Sequence, residues 1–294
     1  MIETLLTAAA VAARIIANPF GNVFQKQLTA NGNHPLLVNL TTYLILSIAC
    51  LALVVRITWS TLNDDFWIYA ILGGIAGAVG NGFLVKALQQ GELSVLGPIN
   101  SYKSVVGMLM GVLLLGEIPN AWGLLGVAII IYGSYYIFDA TEDKFTFRLF
   151  RKTEIQYRVW AMILTAVEAV FIKKVILAST PTAAFISWCF FGALFSWLLM
   201  KVYRVKLPNP FQGAASNLQK YLLLGLCIGT MQFTTNYVFK QLEVGYALSL
   251  FQLSTIVSVI LGYKIFNEQE VYKKLIGAAI MIAGSIVIIL FKDR

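Results

Sequence analysis

Three ionisable side chains fall well inside apolar stretches of this chain: Arg14, Lys103 and Glu168. Lys103 sits near the middle of residues 91–117, GELSVLGPINSYKSVVGMLMGVLLLGE, a stretch apolar enough to cross a bilayer and interrupted by Gly97-Pro98. An ion at that depth is costly, so it faces a protein interior or a watery cavity. Arg14 lies about half-way along its own apolar run and offers a planar fork of donors suited to carboxylate or phosphate. Glu168 is the one carboxylate placed well within the membrane. Such a set can recognise a charged small molecule. It can equally hold the protein together through a Lys103–Glu168 or Arg14–Glu168 pair. Together the three leave a net charge of +1, which an anionic group on a substrate or a neutral Lys103 would resolve.

Uncharged polar residues fall in register with these ions. Arg14, Asn18, Asn22 and Lys26 recur every four residues and form one stripe on a helix. Asn100, Lys103 and Gly107 share a face, next to Tyr102, and Pro98 leaves a carbonyl near Ser94 without its helical partner. Gln232, Asn236 and Lys240 recur every four residues, and Gln252, Thr255 and Ser258 every three. The candidate binding set is therefore Arg14, Asn18, Asn100, Tyr102, Lys103, Glu168, Gln232, Asn236 and Gln252. Ordinary interhelical hydrogen bonds are the competing explanation for the amides. Lys26, Lys86 and Lys240 read as snorkelling to the interface, and Lys173 and Lys174 as interfacial. Gly73, Gly77 and Gly80 read as close helix packing. The Asn39-Leu40-Thr41 sequon opens a span and is assigned no role.

These residues have to be positioned by membrane helices. The 294 residues are 59% hydrophobic and 12% charged, whereas a soluble domain carries about 25% charged residues. The apolar residues fall in continuous runs long enough for a hydrocarbon core of about 30 Å, which excludes an alternating β-barrel pattern. Ten spans are expected, at roughly 3–28, 35–57, 66–88, 92–115, 119–139, 157–178, 182–203, 218–241, 245–265 and 271–291. The first is read as a retained span, since it has no basic n-region. Cys50, Cys189 and Cys227 all fall inside spans without CxxC spacing, so neither a disulfide framework nor a metal site is expected. His34 is the one histidine, on a short loop. No GxxxxGK[ST] motif, nucleophile–base constellation or acidic metal cluster is visible, so neither an enzyme nor a cofactor is expected.

The chain divides at a hydrophilic connection, 140–156, into a first unit at 1–139 and a second at 157–294. The units resemble each other. NGFLVKALQQG (81–91) matches NYVFKQLEVG (236–245), placing Lys86 on Lys240 and Gly91 on Gly245. LLLGE ending at Glu117 matches KIFNE ending at Glu268, and Gly126, Gly133 and Ser134 match Gly277, Gly284 and Ser285. Phe24-Gln25-Lys26 resembles Phe171-Ile172-Lys173, and Pro35 and Pro181 each open the following span. Five spans is an odd number, so the second copy is inserted upside down relative to the first. Inverted repeats around a midplane site are a recurring transporter plan.

On ALQQGELSVLGPI, GVLLLGE and GLLGVAIIIYGS in the first half, and QLEVGYALSLFQL, FNE and LIGAAIMIAGS in the second, the chain resembles the drug/metabolite transporter superfamily, EamA type. The resemblance implies an all-α membrane protein of ten helices in two inverted repeats of five. It implies secondary active transport of a small organic metabolite by alternating access, in a bacterial inner membrane. Relatives often carry proline about thirteen residues before the Gly-Glu pair, where this chain reads Tyr102-Lys103-Ser104. Arg14 and Lys103 would attract an anionic or zwitterionic substrate, the amides and Tyr102 would orient it, and Glu168 would be counter-ion or proton site. The expected partners are that substrate, the bilayer, and coupled protons or an exchanged solute; nucleic acid is not expected. Export of cationic or lipophilic compounds centred on Glu168 is the first alternative, and a membrane enzyme or lipid-carrier partner the second.

Span order places Lys144, Arg148, Arg151, Lys152, Arg158, Lys201, Arg204, Lys206, Lys220, Lys273 and Lys274 on one face. Arg56, Lys292 and Arg294 lie on the other. The positive-inside rule then puts the connection in the cytoplasm and both termini outside, opposite to the orientation usual in the superfamily. A fluorescent protein fused to the C-terminus is expected to stay dark, and robust cytoplasmic fluorescence would reverse the assignment.

Overall fold

The computed structural model describes residues 2–93, 96, 99–139, 151–205, 214–267 and 271–291. Several expectations lie outside them: the Gly97-Pro98 break with Ser94, residues 140–150 of the connection, Glu268, and the charges of Lys144, Arg148, Lys206, Lys292 and Arg294. The side chains of Ser134, Ser285, Lys273 and Lys274 also lie outside. Among the described residues every regular element is helical. The α-helices are α1 (Ile2–Ala30), α2 (Pro35–Val54), α3 (Asp64–Gln90), α4 (Lys103–Leu115), α5 (Ala121–Asp139), α6 (Thr153–Leu177), α7 (Pro181–Val202), α8 (Ala214–Gln241), α9 (Val244–Phe251), α10 (Ser254–Phe266) and α11 (Val271–Phe291). Among the described residues six stretches are long and apolar enough to cross a membrane: α1, α2, α3, α7, Asn217–Gln241 of α8, and Val244–Phe266 across α9 and α10. Large apolar side chains such as Ile48, Leu113, Trp160 and Leu226 are exposed on the outside of the bundle, as a lipid-facing surface requires.

Corresponding helices of the two halves start and stop by the same devices. His34 Nδ1 accepts from Leu36 N (3.2 Å) at the head of α2, and Thr180 Oγ1 from Ala183 N (3.1 Å) at the head of α7. Each cap is followed by proline at the first helical position, where its missing N–H costs nothing. Burial and the Lys86 charge hold the His34 imidazole below its usual range, which keeps Nδ1 free to accept. A lowered folded-state pKa means that this contribution is complete above the ordinary histidine range and is lost as pH falls through it. At the other end, α4 stops at Gly116 (φ +69°) and α10 at Asn267 (φ +54°), both left-handed. These are the residues directly before Glu117 and Glu268, so the matched Gly-Glu and Asn-Glu pairs are helix stops.

The stretches expected as spans 4 and 9, residues 92–115 and 245–265, are both broken. A 3₁₀ turn, Asn100–Tyr102, leads into α4, and α9 ends before α10 begins at Ser254. The second break needs no proline. Gln252 N turns to the Ser249 carbonyl (3.1 Å), and the Gln252 side-chain amide donates to the abandoned Leu248 carbonyl (3.0 Å). Asn100 Nδ2 then donates to Gln252 Oε1 (3.3 Å), so the two breaks meet.

The halves pack reciprocally. α1 lies on α8 and α3 on α6; α2 packs on α7, α5 on α11, and α4 on α9. The α5–α11 contact is the tightest. A Cβ on Gly133 would stand 2.6 Å from the Gly277 carbonyl, and one on Gly284 would stand 2.6 Å from the Gly126 carbonyl. Matched residues thus touch each other's partners across one crossing, as in an isologous contact.

Lys173 is not interfacial. It is buried, because its ammonium serves the end of α8 by donating to the carbonyls of Phe239 and Leu242. It also lies 3.7 Å from Glu117 Oε1, while Glu117 Oε2 accepts from Val244 N at the head of α9 (2.8 Å). Lys26, its sequence match, does the equivalent for α3 by donating to the Gly91 carbonyl (3.0 Å) against the Phe266 ring. It is not simply a snorkelling lysine.

Three substitutions test this packing. Gly133→Ala meets backbone atoms that cannot yield, so it is expected to destabilise the protein by about 1–3 kcal/mol. Gly73→Ala, with only the Phe171 Cβ at 3.5 Å, should stay within about 0.5 kcal/mol. Lys173→Met strands the Glu117 carboxylate and two carbonyls, and should cost about 3–5 kcal/mol in reversible unfolding. In the Glu117→Gln background the same change should cost clearly less, and equal costs would remove Glu117 from the link.

Candidate functional site

One face of α1 carries Arg14, Asn18, Asn22 and Gln25 into a cavity between the halves, their spacing of three and four residues keeping them together. Opposite, α6 brings Arg158, Thr165 and Glu168 by the same periodicity, while α8 adds Gln232 and Thr235. Asn100 and Lys103 enter from the break in span 4, and α2, α3 and α7 close the wall with Asn39, Tyr43, Asn81 and Trp188. The cavity volume is about 80 Å3, several times the ~10–15 Å3 that admits one water.

Arg14 is 6% exposed, and its guanidinium carbon lies 4.4 Å from the centre of the Phe251 ring. Its Nε and Nη1 have no hydrogen-bond partner, nor do Asn22 Oδ1 and Gln25 Oε1 further along the same stripe. Each such orphan costs roughly 1–3 kcal/mol unless a solute or water meets it. Glu168, 5% exposed, accepts a 2.6 Å bond from Trp188 Nε1 and is pressed against α3 at Gly77, where no Cβ could fit. Trp188 in turn packs on Tyr43, ring centres 4.7 Å apart, and Tyr43 Oη accepts from Asn81 (3.0 Å). Neither pair weighed as the structural alternative, Lys103–Glu168 or Arg14–Glu168, closes to a salt bridge within 4.0 Å among the described residues, although Lys103 and Glu168 feel each other's charge. The carboxylate is held by an indole instead.

Six of the nine candidates therefore line one cavity: Arg14, Asn18, Asn100, Lys103, Glu168 and Gln232. The other three lie outside its lining. Tyr102 packs in an apolar cluster with Leu96 and Leu261. Asn236, fully buried, accepts from Gln232 Nε2 (2.9 Å) and donates to the Pro181 carbonyl (3.2 Å), tying α8 to the head of α7. Gln252 builds the break in span 9.

The sequence reading overlooked two contributors. Asn39, assigned no role from the sequence, is buried and donates to the Ala78 carbonyl (3.2 Å) and Ser196 Oγ (3.0 Å). Arg158 was grouped with the loop charges. It is 6% exposed, and its Nε donates to the Leu96 carbonyl (2.8 Å) at the broken end of span 4. The available signal was spacing, because Arg158 stands seven and ten residues before Thr165 and Glu168, on the same helical face. Its removal also takes one charge from the face assigned to the cytoplasm.

The chain has a close structural likeness among solved proteins. One, titled "Crystal structure of protein", superposes with a TM-score of 0.70 at 16% identity, covering 95% of this chain and 96% of that one. At that identity the likeness concerns the fold alone. A comparison with curated proteins finds no match. Residues 7–139 and 153–290 each match the EamA-like transporter family, one copy per half of the bundle. With two copies together spanning nearly all of its length, this integral membrane chain belongs to the EamA-like transporter family.

Proposed function

We propose that the chain is a secondary transporter of a small anionic or zwitterionic organic solute, held in the cavity between the two halves. The observation that carries this is Arg14: a buried guanidinium with two unpartnered nitrogens, facing a cavity lined by amides, hydroxyls and apolar side chains in which, among the described residues, cations outnumber the one carboxylate, Glu168. A carboxylate would meet its planar fork and supply the charge-assisted hydrogen bonds it lacks. Lys103 adds a second attraction from the broken span.

Ten spans in two inverted repeats suit this function, with alternating access produced by the halves rocking about the site. Support for that arrangement comes from the family match in both halves, the reciprocal helix pairing and the matched α5–α11 contact. Export of cations centred on Glu168 is less favoured, because that carboxylate is engaged by Trp188 and outnumbered by the cations of the cavity.

A ligand that binds the native state raises its thermal stability. Acetate, lactate and succinate are expected to stabilise the purified protein, and tetraphenylphosphonium is not. Arg14→Gln should weaken the anion effect about 10–100-fold, the size of one charge-assisted interaction. Lys103→Ala should abolish uptake of the stabilising anion, carried as radiolabel, into proteoliposomes while leaving the protein folded. Stabilisation by tetraphenylphosphonium that is lost in Glu168→Gln and indifferent to Arg14→Gln would overturn the proposal.

A further inference from the structure

Arg158 changes the charge of the cavity. Besides Arg14, the lining holds Lys103, Glu168 and Arg158, and Lys103 feels the charges of all three other groups. If a proton passes between Lys103 and Glu168, their joint charge stays at zero. The two arginines keep theirs under all ordinary conditions. The cavity therefore presents two positive charges that no described side chain lining it offsets, a costly arrangement at membrane depth.

The two arginines also approach from opposite sides. Arg14 belongs to the first helix of one half and Arg158 to the first helix of the other. The match of Lys26 to Lys173 sets the register between those helices, and it places Arg158 opposite Val11, one helical turn from Arg14. They occupy almost the same place on equivalent helices and converge on one space. Each is anchored by part of its guanidinium, Arg14 over the Phe251 ring and Arg158 through Nε to the Leu96 carbonyl.

We infer that the cavity is built for a small organic dianion, with Arg14 and Arg158 each meeting one of its negative charges from opposite halves. The inference rests on the anion-transport proposal and narrows its substrate class. Dicarboxylates and phosphate monoesters share the required charge, and a volume of about 80 Å3 restricts either to a few heavy atoms. Bridging two halves through one solute also gives binding a direct hold on their relative position.

Isosteric probes separate charge from shape. Succinate is compared with succinamate, and methyl phosphate with dimethyl phosphate, by titration calorimetry on the intact protein in nanodiscs at pH 8. In each pair the first is a dianion and the second a monoanion. At least one dianion is expected to bind about tenfold or more tighter than its monoanionic partner, and which pair shows the preference separates dicarboxylate from phosphate. Arg158→Gln should bring that preference within about twofold, weakening the dianion far more than the monoanion. Arg158→Lys, which keeps the charge and suits a bundle that will not fold with glutamine, should retain most of it. Equal binding within both pairs on the unaltered protein overturns the dianion inference but leaves anion transport standing, as does a preference that survives Arg158→Gln. If none of the four binds, both proposals fall.

Discussion

A carbonyl left without a donor inside a bilayer has no water to turn to, and this constraint organises the described structure. At four helix ends or breaks between the halves, a long side chain from another segment, or from one turn away, reaches the exposed carbonyl. Lys26 serves the end of α3 and Lys173 the end of α8. Gln252 serves Leu248 at the break in span 9, and Arg158 serves Leu96 in span 4. Several of the polar groups that look functional in the sequence are therefore partly committed to the backbone. Arg14 stands apart because two of its nitrogens meet nothing.

The same constraint explains why the breaks sit where they do. Broken helices at membrane depth are tolerated only against protein or a cavity, and both breaks face the space between the halves, where Asn100 and Gln252 bond each other. Glycine pairs let α5 and α11 approach without side chains, and Gly77 lets α3 approach Glu168. Close packing at α5–α11 lies away from the cavity, whereas at Gly77 it reaches the cavity wall.

Much of the architecture was legible in the sequence because it depends on spacing. Apolar runs marked the helices, and the matched Lys26/Lys173, Gly133/Gly284 and Gly-Glu/Asn-Glu positions marked features that recur in space. The α1 stripe likewise put Arg14 and Asn18 on one helix face, and both line the cavity. What was not legible depends on partners distant in the chain. That Lys173 points inward to the end of α8 follows from where that helix stops, not from its own neighbours. Arg158 looked like a loop charge because α6 begins at Thr153, some four residues before the apolar run suggests. The break in span 9 carries no proline or glycine, and its cause is a side chain replacing a backbone donor. Glu168 invited pairing with a cation, yet an indole nitrogen on α7 claims it.

The Lys173 link has a mechanical consequence. Through one ammonium and one carboxylate it fastens α6, the end of α8, the head of α9 and Glu117, which directly follows the stop of α4 in the other half. These parts share a clamp, so any motion separating them must break the hydrogen bonds that Lys173 and Glu117 make. Relative displacement of the halves is cheaper elsewhere, at Asn100–Tyr102 and around Gln252, where bonds of 3₁₀ type already replace the regular ladder. The clamp makes one rim of the bundle stiff and assigns compliance to the layer that holds the cavity.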